Sequence, residues 1–114
     1  MRTIIAGSRI GATRQMVENA VAACGWVPSV VISGTARGAD QLGEYWALEH
    51  RIPIERYPAN WEASGRSAGH KRNQEMARVA EALIAVWDWR SPGTKNMIET
   101  ARFHGLRVFI YPIS

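Results

Sequence analysis

A single cysteine, Cys24, among 114 residues rules out an internal disulfide. Its place on the apolar side of a predicted helix makes it a small buried hydrophobe rather than a nucleophile. The few histidines and acidic residues never fall at metal-ligand spacing, so no metal is expected. No nucleophile stands beside an evident base, so hydrolytic chemistry is not written plainly in the chain. No apolar run approaches the roughly 20 residues needed to cross a bilayer. Met1-Arg2 opens straight into a strand-like run with no signal-peptide core, so a cytoplasmic location without membrane contact is the expectation. Repeats, low-complexity tracts and linkers are also lacking. With 46% hydrophobic and 21% charged residues, no segment is polar enough to stay disordered. The length suits one hydrophobic core, so residues 1–114 read as one domain.

What is present is an alternation of two periods. Short apolar runs recur at Thr3-Ile4-Ile5-Ala6, Val30-Val31-Ile32, Ile52-Pro53-Ile54, Leu83-Ile84-Ala85-Val86-Trp87 and Val108-Phe109-Ile110-Tyr111. Several are rich in β-branched residues, and they predict five strands. Between them, Met16-Ala20-Val21, Leu42-Tyr45-Trp46-Glu49, Asn73–Ala82 and Asn96–His104 follow helical spacing and predict four helices. Such β-α alternation implies right-handed crossovers and a parallel sheet covered on both faces, an α/β three-layer sandwich. Ile54-Glu55-Arg56-Tyr57 alternates and follows Pro53, as an edge strand does. The expected order is therefore 3-2-1-4-5. Its winding reverses between strands one and four, and open α/β sheets bind ligands beside such a switch point. The long connection from Pro58 to Ser67, which carries Trp61, reads as a loop folding over that site.

Four stretches at the carboxyl ends of the strands could hold an anion. Gly7-Ser8-Arg9 offers close backbone approach and two polar side chains, or simply a tight turn with a solvated arginine. Gly34-Thr35-Ala36-Arg37-Gly38-Ala39-Asp40 leads into a helix whose N-terminus is partially positive. There Asp40 is either a capping carboxylate or an acceptor for ribose hydroxyls. In the basic segment Ser67–Asn73, Arg72 and Asn73 are the preferred ligands, while His70 and Lys71 read as solvated. Gly93-Thr94 opens the last helix, where a phosphate could rest. Trp89 lies beyond the fourth strand and either stacks on a base or covers the sheet edge. The formal charge of +4 favours an anionic partner without separating nucleotide from nucleic acid.

Taken in order, Gly7-Ser8-Arg9, Gly34–Asp40, Ala59-Asn60-Trp61, Ala68-Gly69-His70-Lys71-Arg72-Asn73 and Gly93-Thr94 with Met97 resemble the small stand-alone SLOG proteins of the YspA type. The resemblance covers nearly the whole chain. It implies a Rossmann-like domain that binds a nucleotide or nucleotide-derived ligand as a sensor or sequestering module, with no cofactor beyond that ligand. The superfamily also holds LOG phosphoribohydrolases and DprA-type DNA-processing proteins, so N-glycosidic cleavage and single-stranded DNA binding are the alternatives. By similarity to LOG enzymes a homodimer is implied, and Arg72 matches their catalytic arginine. Gly93 and Thr94 match the end of their PGGxGTxxE loop, but Arg90 and Ser91 replace its paired glycines. Met97 stands where their glutamate falls, and Glu99, two residues on, points to another helical face as a weak substitute. The resemblance thus implies binding more readily than turnover.

Overall fold

The computed structural model describes residues 1–114. Five strands form one parallel sheet: β1 (Arg2–Gly7), β2 (Val30–Ser33), β3 (Ile54–Arg56), β4 (Ala82–Trp87) and β5 (Arg107–Pro112). Their order is β3-β2-β1-β4-β5, as the apolar pattern predicts. Between them run α1 (Arg14–Ala23), α2 (Ala39–Glu49), α3 (Trp61–Ser64), α4 (Ala68–Val79) and α5 (Pro92–Phe103). No helix is long and apolar enough to cross a membrane.

Alternation along the central strands builds two cores. Ile4, Ala6, Leu83, Ala85 and Trp87 face Met76, Ala77, Met97, Ile98 and Ala101 of α4 and α5. On the opposite face Ile5, Ile84 and Val86 meet Val17, Ala20, Trp46 and Ala47 of α1 and α2. Strand β4 is buried along its whole length, which is why its sequence is apolar without a break. Each fully buried Ile, Leu or Val adds roughly 1.5–3 kcal/mol, so these two layers dominate stability. Cys24 is buried in the second core. Its thiol lies 3.1 Å from the Trp26 carbonyl.

Several predicted boundaries shift: α5 begins at Pro92 rather than Asn96, and β3 runs over Ile54–Arg56 rather than Ile52–Ile54. Helix α4 begins at Ala68 rather than Asn73, because its first turns line a cavity and carry polar residues that break the apolar period. It ends at Val79, after which Ala80 is extended and Ala82 already pairs with Thr3 in the sheet. The connection before it is not an open loop. Asn60 caps α3 by accepting from the Ala63 amide at 3.1 Å, and a 3₁₀ turn over Gly65–Ser67 joins α3 to α4. Strand β3 is the expected edge, and the Pro53 carbonyl just before it accepts the Val31 amide at 2.9 Å.

Candidate functional site

At the carboxyl edge of the sheet, beside the β1/β4 switch point, lies a cavity of about 510 Å³. That volume suits a single small ligand. Its walls come from four places: Gly7 at the end of β1 with Arg9 and Ile10 after it; Ala36 and Asp40 before and within α2; residues of α3, α4 and the turn between them, from Trp61 to Met76; and Asp88 and Ser91 of the β4–α5 connection with Pro92, Gly93, Thr94 and Met97 of α5. Met76 and Met97 give it apolar floor.

Asp40 and the half-buried Arg72 at its base explain the glycine that follows β2. Arg72 donates to the Gly34 carbonyl, reaching across 38 residues of sequence. A Cβ at Gly34 would stand 2.7 Å from Asp40 Oδ2 and 2.8 Å from an Arg72 guanidinium nitrogen, so a larger residue there would push one of these side chains aside. Asp40 is 5% exposed and accepts the Ala36 amide at 3.2 Å. Burial pushes its carboxyl up from the usual 3.8 to about 6, against the opposing pull of the Ala36 amide, Arg72 and the Gly7 amide. Arg72 is itself drawn down by burial, and the neighbouring Arg9 adds to that while Asp40 opposes it. Two guanidiniums thus repel each other across one cavity and are only partly balanced by the Asp40 carboxylate.

A carboxyl raised by burial stabilises the fold fully below its unfolded value and loses that contribution as pH rises through its folded value. The rise from 3.8 to about 6 corresponds to a contribution on the order of 3 kcal/mol. Asp40→Asn is therefore expected to stabilise the protein at pH 8 by up to about this amount and to have little effect near pH 4. Paired denaturant titrations at the two pH values check it; equal effects at both would mean that Asp40 is not charged at a cost in the native state.

A second network sets the cavity's upper wall. Ser8 is fully buried, and its hydroxyl accepts the Asp88 amide at 2.9 Å. Ser91 Oγ stands 3.3 Å from Ser8 Oγ and 3.0 Å from Asp88 Oδ1. Asp88 Oδ1 also accepts the amides of Arg90 and Ser91, both at 2.8 Å. These two amides hold the Asp88 carboxyl down at about 2, so it stays ionised across the physiological range. The network fixes the start of α5, where Pro92 occupies the first helical position and Ser91 provides no side-chain cap. The Gly93 and Thr94 amides thus open on the cavity at the positive end of a 12-residue helix.

Of the residues singled out in the sequence, Gly7, Arg9, Asp40, Arg72, Asn73, Gly93 and Thr94 share this cavity. Asn73 also braces it, accepting from Arg72 Nε at 3.1 Å and donating to Asn96 at 2.9 Å. Ser8 and Gly34 stand behind the wall in supporting positions. Thr35 adopts a left-handed φ of 64° and donates its amide to Ser33 Oγ, outside the cavity, and Arg37 is exposed nearby. Trp89 also lies outside it, 60% exposed and packed at 4.7 Å on the Trp87 ring. Glu99 sits on the exposed face of α5, whereas Met97 is 1% exposed and lines the cavity. Sequence reasoning passed over Ile10, Arg66 and Asp88. Only Asp88 had a local signal, an Asp three residues before Ser91-Pro92, which is turn and helix-start chemistry.

A parallel 3-2-1-4-5 sheet with a cavity at its switch point defines a Rossmann-like α/β domain. Residues 1–63 match the model of the YspA, cpYpsA-related SLOG family, and the chain belongs to that family. It is 35% identical over 116 residues to the Gene 61 protein of Mycobacterium phage D29, covering 94% of this chain and 93% of that protein. Its fold is similar to the X-ray structure of DNA processing protein A (DprA) from Streptococcus pneumoniae, with a TM-score of 0.79 at 19% identity. That match covers 99% of this chain and 50% of that one, so the chain spans half the length of the DprA protein.

Proposed function

We propose that the cavity binds a nucleotide or nucleotide-derived ligand and that the protein acts as a sensor or sequestering module for it. The observation that carries this reading is the pairing of Arg9 and Arg72 in one cavity with the open N-terminus of α5. Charge-assisted bonds to a phosphate would relieve the repulsion between the two guanidiniums, and the Gly93 and Thr94 amides would complete the cradle. Membership of the SLOG family supports the same reading. Retention of the ligand unchanged is favoured over N-glycosidic cleavage by Met97, which brings a thioether rather than a carboxylate to the cavity floor. Single-stranded DNA is the less favoured ligand: the basic groups converge in a cavity rather than along an open groove.

Arg72→Ala should weaken binding of a nucleoside monophosphate by roughly 1.5–3 kcal/mol. Because Arg72 also offsets Asp40, the single variant should melt lower than the parent, so the double variant Arg72→Ala/Asp40→Asn serves as the stable background. Calorimetry on all three proteins is the check. Affinity equal to the parent's in both variants would reduce Arg72 to a structural tie between β2 and α4.

A further inference from the structure

The outer half of the cavity differs from its base. There the chain leaves two large apolar side chains open to water, Ile10 at 85% and Trp61 at 54% exposed, and both line the cavity. An indole half open to water at a cavity wall offers a face on which a base can stack. It lies next to the anion site. A Cβ on Gly69 would be 3.5 Å from the tip of the Trp61 ring and 3.9 Å from an Arg72 guanidinium nitrogen, so one bare backbone position separates the two. A ligand with its phosphate at Arg72 therefore reaches Trp61 with whatever it carries one sugar away.

Two polar side chains stand on this side, a guanidinium that only donates and an imidazole that, when neutral, donates from one ring nitrogen and accepts at the other. Arg66 and His70 line the wall beside Trp61, and that wall carries no carboxylate or side-chain amide. The acceptors Asp40 and Asn73 at the base and Asp88 in the upper wall are each engaged with backbone or side-chain partners. A guanidinium can only donate, and its fork matches two adjacent acceptors on one ring edge. Guanine and hypoxanthine present such a pair in O6 and N7, whereas adenine sets an amino donor beside N7.

We infer that this outer half is a base-reading subsite, in which a 6-oxopurine ring stacks on Trp61 and turns its O6 and N7 toward Arg66. The inference rests on the nucleotide reading of the same cavity. It adds a ligand class, a 6-oxopurine nucleotide, and assigns specificity to the α3–α4 segment rather than to the glycine loops.

Calorimetric titration with GMP, AMP and ribose 5-phosphate separates the two readings. The parent should bind GMP at least about tenfold more tightly than AMP, the usual worth of a matched guanidinium–guanine contact, and ribose 5-phosphate more weakly than either. Trp61→Ala should lower GMP affinity roughly ten- to a hundredfold and leave ribose 5-phosphate unchanged. Arg66→Met should bring GMP and AMP together. Melting temperatures should hold in both variants, since neither side chain is buried. Ribose 5-phosphate binding as tightly as GMP, AMP binding more tightly than GMP, or equal losses for all three ligands in the variants would overturn the base subsite while leaving the phosphate site standing. Binding of none of the three would overturn the nucleotide reading as well.

Discussion

Gly7→Ala is expected to abolish folding, whereas Gly93→Ala, in the same cavity, should leave stability nearly unchanged or slightly raised. A Cβ at Gly7 would stand 2.0 Å from the Val86 carbonyl oxygen and 2.7 Å from its carbon, well inside contact distance. The obstacle is backbone, so no rotamer change relieves it. Gly7 pairs with Val86 at the end of the β1–β4 ladder, and the Ser8 amide donates to that same carbonyl at 2.9 Å. Separating the strands there would open the middle of the sheet, between the two cores. A loss above about 4 kcal/mol is a large share of the 5–15 kcal/mol that usually holds a domain together. At Gly93 a Cβ meets nothing within 4 Å, and in a helix alanine gains up to about 1 kcal/mol over glycine. Circular dichroism melts of the two variants check the contrast. A cooperative parent-like transition in Gly7→Ala would show that the strands can part without unfolding.

That contrast marks the boundary of what could be read from the residues alone. The sheet was legible because parallel strands buried on both faces must be continuously apolar, and the edge showed itself through Pro53 and the Glu55-Arg56 alternation. The location of the site followed from the strand order. Yet a glycine that lets two strands meet and a glycine that bares a helix amide look alike in a sequence. Ser8 looked like a phosphate donor, but its hydroxyl faces the Asp88 amide, 80 residues away, and only the folded chain brings the two together. Of the two tryptophans beyond strand ends, Trp61 reads in the sequence as part of a loop over the site, whereas Trp89 stays open between stacking and covering the sheet edge. Trp89 turns back on Trp87 through a left-handed φ of 66°, while Trp61 is set against the cavity by a four-residue helix too short to carry a periodic signal. Arg72 could be picked out as a candidate, but not its bond to Gly34, since loop closure across the sheet leaves no local trace.

Free base should not accumulate when the parent protein is incubated with nucleoside monophosphates, and Met97→Glu should begin to release it. Cleavage breaks the bond between C1′ and the base nitrogen, adds water at C1′ and delivers a proton to the departing base. The positive charge that develops on the sugar needs a carboxylate nearby, and a positioned acid or base typically contributes 10²- to 10⁴-fold. Neither carboxylate of the cavity is free for this work. Asp88 is committed to the Arg90 and Ser91 amides, and Asp40 is buried against Ala36 and Arg72. Met97 occupies the cavity floor at 1% exposure, so an introduced carboxyl there would be desolvated and held toward its neutral form. The activity it confers should therefore rise with pH through a value above the ordinary glutamate range. Glu99→Gln should change neither binding nor release, because Glu99 lies on the solvent face of α5. Chromatography of the free base from the three proteins reads all of this at once. Rapid release by the parent would make the protein a hydrolase, and its disappearance in Glu99→Gln would require α5 to turn that face toward the ligand.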